Sequence, residues 1–314
     1  MLSAVLKAIP SVTVAPAARQ RRYCRVLQGQ LSQSVSESLR VFDALLERQS
    51  ARQAARAARA RSLRVTLPDG VTLEGKAGVT RPLDIARQAR CETDPPIVAR
   101  VSGQLWDLER PLEADCDLQF LGFSSTEGKE VFWRSSASVL GGVLISEWGG
   151  SLCRLGSTES GFYSDVHLDQ RSLSGSDLSS IEKGCRRIVS QKVPFIRLEV
   201  SQDELRELFK HNKFVMETIE TQASGPTATV YRCGSLVTLC SGPHITNTSR
   251  LKVLQLLQVS FTTTLSLPLS QPLFLFLSQC SVNVLECPVS VSVLTPLSLS
   301  AVLMYWSVQS VCLY

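Results

Sequence analysis

The sequence predicts an α+β fold of two units, with a basic helical N-terminus and an unstructured C-terminal tail. Short alternating strands gather around one short helix between residues 62 and 123, and helical and strand patterns intermingle from 124 to 258. Both ends of the chain depart from globular composition.

The 314 residues suffice for two domains and an extension, and the net charge of +5 hides a gradient along the chain. Residues 1–36 hold no Asp or Glu but carry Lys7, Arg19, Arg21, Arg22 and Arg25. This acid-free stretch, rich in Ala, Ser and Val, has the composition of a mitochondrial targeting segment, assigned to residues 1–33; a disordered basic tail is the alternative. Pro10 and Pro16 interrupt the apolar run that a secretory signal requires. The 10 cysteines include no Cys-x-x-Cys pair, which argues against a zinc ribbon or redox motif and fits free thiols in a reducing compartment.

Residues 34–61 are predicted as a basic helix. Leu39, Phe42, Leu45 and Leu46 form a narrow apolar stripe, followed by Arg48, Arg52, Arg56, Arg59 and Arg61, mostly among alanines. Such a helix suits nucleic-acid phosphates or serves as a solvated connector. In residues 62–123, Leu63–Leu67 reads as a strand, Pro68-Asp69-Gly70 as a turn and Val71–Leu73 as the returning strand. A short helix over 84–89 and strands near 97–101, 105–107 and 117–121 complete a small β-grasp arrangement, one helix over a mixed sheet.

Residues 124–258 form the second unit. Lys129–Gly141 reads as a helix, as do Asp177–Val189 and Ser201–Lys210, with Ser201 the expected N-cap and Asp203-Glu204 suited to the first turn. The segment Val230–His244 ends in Cys240-x-x-x-His244. Gly242-Pro243 disfavours a regular helix there, so the pair is expected on a turn that could point thiol and imidazole into a cleft. Taken on spacing alone, a lone Cys/His pair is more often structural.

Several of these segments resemble one family in order. Leu67-Pro-Asp-Gly70, Ile85-Ala86 and Asp107–Leu112 are similar to a TGS domain; Lys129–Gly141, Gly161-Phe-Tyr-Ser-Asp165 and Val230–His244 are similar to the editing (SAD) domain of threonyl-tRNA synthetases, in the mitochondrial form. The resemblance implies a TGS domain at 62–123, an editing domain at 124–258 and a location in the mitochondrial matrix. The family ligates threonine to tRNA and hydrolyses the mischarged Ser-tRNA(Thr), because one methyl group gives the synthetic site only about 1–3 kcal/mol of discrimination. The implied partners are tRNA(Thr) and Ser-tRNA(Thr), with pairing to a full-length enzyme left open; neither DNA nor a membrane span is expected. No cofactor or metal is expected in this chain, since the family's ATP, Mg and Zn belong to a catalytic domain that is not found after residue 258, nor is an anticodon-binding domain.

The family's editing site implies a His-x-x-x-His on the first helix and the Cys-x-x-x-His on the turn. Here Cys240 and His244 match, and Tyr163 and Asp165 match as substrate-binding positions. Arg134 and Ser138 occupy the paired-histidine positions, and Thr238 replaces an acidic residue. Arginine stays protonated and a serine hydroxyl is too weak a base, so hydrolysis is expected to be much weakened, with His244 left to carry any residual reaction. Arg134 could instead contact a phosphate or the terminal ribose. The alternative function is a non-catalytic RNA- or ribosome-binding protein, resembling a synthetase-derived protein of the mitochondrial large ribosomal subunit whose first motif also reads Trp-Arg-Ser. His167 and His211 match no motif.

Residues 259–314 form a low-complexity apolar tail with Glu286 as its single charged residue, broken by Pro268, Pro272, Pro288 and Pro296. Gln258-Val259-Ser260 can be encoded by CAG-GTG-AGT, a splice-donor sequence, and Leu, Ser, Pro and Phe are what pyrimidine-rich DNA encodes. The tail therefore reads as translated intron with no selected fold, and its apolar segments are liable to aggregate.

Overall fold

In the computed structural model the described residues are 32–89, 95–158, 161–168, 173–222, 225–252, 256–265 and 305–313. The expected targeting segment, apart from Ser32 and Gln33, and tail residues 266–304 lie outside them.

Helix α1, Gln33–Ala57, is capped by the Ser32 hydroxyl, which accepts from Val35 N. Strands β1 (Ser62–Thr66) and β2 (Thr72–Lys76) form the expected hairpin, followed by helix α2 (Pro82–Gln88) and strands β3 (Val98–Val101), β4 (Gln104–Trp106) and β5 (Cys116–Leu121). The sheet order is β2-β1-β5-β3-β4, parallel between β1 and β5 and antiparallel elsewhere. Ile85 of α2 is buried among Leu63, Val65, Ala99, Leu108, Leu112 and Leu118. One short helix therefore closes one face of a mixed sheet, the arrangement expected from the sequence.

The second unit is built around helix α3, Thr126–Val143, which runs into a π-helical turn at Leu144–Trp148. Next come β6 (Ser151–Ser157), β7 (Phe162–His167), α4 (Leu178–Ser190), β8 (Phe195–Ser201), α5 (Gln202–Phe209), α6 (Lys213–Gln222), β9 (Thr227–Cys233) and β10 (Leu236–Leu239). Sheet β10-β9-β8 is antiparallel throughout. Ser201 caps α5 as expected, in a reciprocal box with Glu204. Val131, Leu140 and Val143 of α3 share one core with Leu152, Phe162, Leu236 and Ile245. A side chain at Gly141 would crowd Leu152 and Leu155 of β6 and touch Leu236 of β10, so α3 lies close between the strand layers.

Two findings go beyond the sequence reading. Leu39, Phe42 and Leu45 of α1 are built into the second unit's other core, with Leu198, Leu205, Leu208, Ile219 and Val230. The Arg232 guanidinium, 1% exposed, donates to Asp43 Oδ1 of α1 at 2.6 Å and to Gly234 O at 3.1 Å. At the far end of α1 Arg52 and Arg56 are exposed, as are Arg59 and Arg61 just beyond it, while Gln53 donates to Gly78 O in the first unit. Secondly, the tail departs from a wholly unstructured segment. Strands β11 (Leu256–Leu265) and β12 (Tyr305–Leu313) pair with each other, and β12 pairs with β7, in the order β11-β12-β7-β6. Thr, Val and aromatic residues in both stretches favour strand over coil even without strict alternation. Among the described residues no helix is long and apolar enough to cross a membrane.

Phe42 has no solvent exposure. Its replacement by alanine is expected to lower stability by about 3–5 kcal/mol, whereas Arg52→Ala on the solvated end should stay within about 0.5 kcal/mol. Chemical denaturation of the two variants separates a docked helix from a connector; equal small effects would refute the docking.

Candidate functional site

The 240–245 segment leaves β10 as an irregular turn, as Gly242-Pro243 suggested. Gly242 has φ +70° and its peptide bond to Pro243 is cis. A Cβ at residue 242 would collide with the Tyr231 ring and hydroxyl, so a side chain here is excluded by space as well as by backbone conformation. The Cys240 sulfur accepts from Gly242 N at 3.3 Å.

Helix α3 reaches this turn through two adjacent residues. Arg134 Nη1 donates to Gly242 O at 2.8 Å and to Pro243 O at 3.3 Å. The Ser135 hydroxyl lies 3.0 Å from His244 Nδ1, accepts from Ile245 N at 3.1 Å and donates to Val131 O at 2.7 Å. A hydroxyl has one proton. With that proton on Val131 O, His244 must carry its own proton on Nδ1 and leave Nε2 as a bare lone pair. Nε2 is buried and has no hydrogen-bond partner among the described residues.

The imidazole is enclosed by rings. Phe195 of β8 stacks on it at 4.8 Å and 8°, and Tyr231 of β9 meets it edge-on at 4.5 Å and 62°. Asp107, which follows β4 in the first unit, accepts from His244 N at 3.0 Å through Oδ1 and from the Tyr231 hydroxyl at 2.7 Å through Oδ2. Burial pushes the Asp107 carboxyl up, against the opposing pull of those two hydrogen bonds and of Arg197 and Arg110. Burial, assisted by the Arg134 charge, takes His244 from its ordinary value near 6.5 down to about 3. Burial also raises the Cys240 thiol, which the Gly242 amide and Arg134 only partly oppose. Near neutral pH the site therefore presents a neutral imidazole and a thiol. A base whose conjugate acid has a pKa near 3 is poorly matched to proton abstraction at pH 7.

The structure brings Cys240, His244 and Arg134 together at the turn and places the other candidate residues elsewhere. Ser138 turns back onto its own helix, donating to Arg134 O at 3.2 Å, and its neighbour Ser135 meets the imidazole instead. Phe162 stacks on Trp133 and Ser164 donates to Ala137 O, so these alternate residues of β7 face α3. Tyr163 and Asp165 consequently point to the opposite face, where Arg154 pairs with Asp165 at 3.0 Å and lies 5.4 Å from the Tyr163 ring centre. The expected open cleft is closed in this conformation: His244 is 2% exposed and Cys240 is half-buried. Among the described residues no three His, Cys, Asp or Glu side chains converge to hold a metal. His167 is buried against Phe214 and His211 pairs with Glu37. A cavity of about 310 Å³ lies on the first unit's sheet between Thr66, Arg100, Asp117 and Gln119, away from these residues.

Residues 63–121 match the TGS domain family. The chain is 46% identical over 201 residues to the mitochondrial threonine–tRNA ligase of Mus musculus, covering 63% of this chain and 28% of that protein. It is 44% identical over 229 residues to the mitochondrial threonine–tRNA ligase of Homo sapiens, covering 72% and 32%. With threonine–tRNA ligase 2, cytoplasmic, of Xenopus tropicalis it shares 40% over 230 residues, covering 73% and 28%. The chain thus spans about a third of the length of these relatives or less, 28–32%.

His244 gives the site a defined pH signature. Between its ordinary value near 6.5 and its value in the fold of about 3, the unfolded chain binds a proton that the folded site refuses. Stability therefore falls as pH drops through that window. The raised Asp107 carboxyl acts in the opposite sense, so the difference between wild type and His244→Gln isolates the imidazole. Denaturant unfolding across the window should show a flatter acid limb in the variant; parallel limbs would mean that His244 protonates freely in the fold.

Proposed function

The chain is a relative of the threonine–tRNA ligases through a TGS domain and the α+β domain that follows it, and from that premise we propose that these two domains form a tRNA-associated module whose 240–245 turn is a hydrolytic editing site reduced to a binding role. The substrate class is an aminoacylated tRNA 3′-end, Ser-tRNA(Thr) by the family's own chemistry, and the mitochondrial matrix is the proposed location. Ligation of threonine, as carried out by the whole relatives, is not assigned to the described residues.

The observation that carries this reading is the Arg134 clamp. Where the family's resemblance calls for an imidazole, a permanent cation spends its Nη1 on Gly242 O and Pro243 O. That side chain closes the turn, adds positive charge beside His244 and supplies no base. The remaining imidazole is sealed and only weakly basic, and Cys240 is held as a thiol. Loss of general-base help accounts for about 10²–10⁴-fold in rate. His244 Nε2 is an unpaired acceptor, which a ribose hydroxyl or an amine can reach only when the turn opens.

A second observation favours RNA binding independently of chemistry. Arg52 and Arg56 are exposed at the end of α1 and Arg59 and Arg61 just beyond it, next to the TGS loop where Gln53 donates to Gly78 O. Arginines at this spacing reach successive phosphates and release counterions on binding.

Deacylation of Ser-tRNA(Thr) by the full chain tests the first reading, because α1 is part of the second domain's core. Wild type is expected to stay within about tenfold of the uncatalysed rate, and Arg134→His with Ser138→His to gain about 10²-fold or more. Wild-type hydrolysis that His244→Ala abolishes would overturn the loss of catalysis. For the basic face, Arg52→Ala, Arg56→Ala and Arg59→Ala together should reduce the slope of log affinity for tRNA against log salt by about 2–3. An unchanged slope would remove α1 from the interface.

A further inference from the structure

Asp107 belongs to the first domain by position and to the second domain's turn by contact. Both of its oxygens are committed across the boundary, Oδ1 to the His244 backbone N–H at 3.0 Å and Oδ2 to the Tyr231 hydroxyl at 2.7 Å. Residues 107 and 244 are 137 positions apart in the chain, so nothing local requires this pairing.

The chemistry at the seam asks for a carboxylate. A backbone N–H can only donate, and Tyr231 is placed with its hydroxyl toward the same group. A carboxylate accepts from both at once, whereas an asparagine would accept from the amide and could meet the Tyr231 hydroxyl only by donating its NH₂ to it. Sequestering a carboxylate is costly, and the group's raised pKa records that cost. A neutral residue would fill the space with less penalty. What the acceptor oxygens secure is position. Tyr231 is the ring that meets the imidazole edge-on and fills the space over Gly242, while the His244 amide sets where the imidazole leaves the backbone. With Phe195 stacked on the ring and Ser135 at Nδ1, a shift of this amide moves Nε2 and breaks the Ser135 contact that selects the tautomer.

We propose that Asp107 is a positioning residue of the 240–245 site, by which the TGS domain fixes the placement and tautomer of His244 in the neighbouring domain. The inference rests on the reading of that turn as the functional site. Its consequence is that the site is complete only when the two domains are joined, so a tRNA that shifts the TGS domain alters the imidazole directly.

The test reads His244 in the ¹⁵N-labelled full chain by long-range ¹H–¹⁵N correlation of the imidazole and by hydrogen exchange of its amide. Wild type is expected to show one tautomer, protonated at Nδ1. Asp107→Ala should show both tautomers, and exchange at the His244 amide should quicken about 10–100-fold. The amides of Leu63 and Val65, in the first domain's core, should change by less than about threefold. Asp107→Asn keeps an acceptor for the His244 amide and should restore most of its protection. A structural role alone would instead quicken exchange throughout the domain and treat the two variants alike. Wild-type imidazole signals in Asp107→Ala, or a uniform loss of protection, would overturn the proposal. Should that variant not fold, Tyr231→Phe removes one partner of the carboxylate and leaves the ring, and unchanged imidazole signals there would overturn it equally. None of these readouts needs turnover. An inactive chain with the expected spectra keeps Asp107 and removes only residual hydrolysis, whereas no binding of tRNA with the expected spectra removes the functional reading.

Discussion

A buried turn outside any strand must have its backbone polar groups satisfied by something other than a ladder, and this constraint organises the 240–245 segment. The carbonyls of Gly242 and Pro243 are met by Arg134, the amide of His244 by Asp107 and the amide of Ile245 by Ser135. Those three side chains come from α3 and from the loop after β4. The turn's shape is therefore a property of where helix and first domain sit. The stacking of α3 between β6 and β10, close enough for Gly141 to be crowded, is what brings Arg134 and Ser135 into range.

That dependence explains which parts of the molecule were legible in the sequence. The apolar stripe of α1, the Ser201 cap and the β-grasp order are written in local spacing, and local spacing survives without knowledge of the partner. The stripe did not say what it would meet; Phe42 found the second domain, where a connector or a phosphate had been equally good readings. Cys240, His244 and Arg134 stand out as candidates because each lies within a short recognisable word. Asp107 lies within one too, yet its oxygens act 124 and 137 residues away, and no spacing rule carries that information. Ser138 and Ser135 show a finer limit. Both are serines on one helix, and only the approach angle of the turn decides which of them meets the imidazole. In the tail, weak alternation concealed strand-forming composition at 256–265 and 305–313, whose pairing with β7 is long-range.

Tyr163 and Asp165 mark where a motif can match while its geometry serves something else. Strand alternation is unforgiving: with Phe162 and Ser164 committed to α3, the residues between them must face away. Arg154 then holds Asp165 where the carboxylate is almost wholly buried, and a buried carboxylate left without that cation would be strongly unfavourable. In this arrangement the pair stabilises the β6–β7 register, which pairs Arg154 with Asp165.

The electrostatic effects on the His244 imidazole both run in one direction. Burial disfavours imidazolium, and the guanidinium beside it disfavours imidazolium again. A histidine at position 134 would remove the permanent charge and one clamp on the turn together, so a regained base and a more open site would come from the same substitution. The reverse also holds. Once an arginine occupies this place and ties down two carbonyls, restoring basicity at His244 requires breaking hydrogen bonds that keep the turn satisfied. The residue that holds the turn in its closed form is therefore also one that keeps the His244 imidazole neutral.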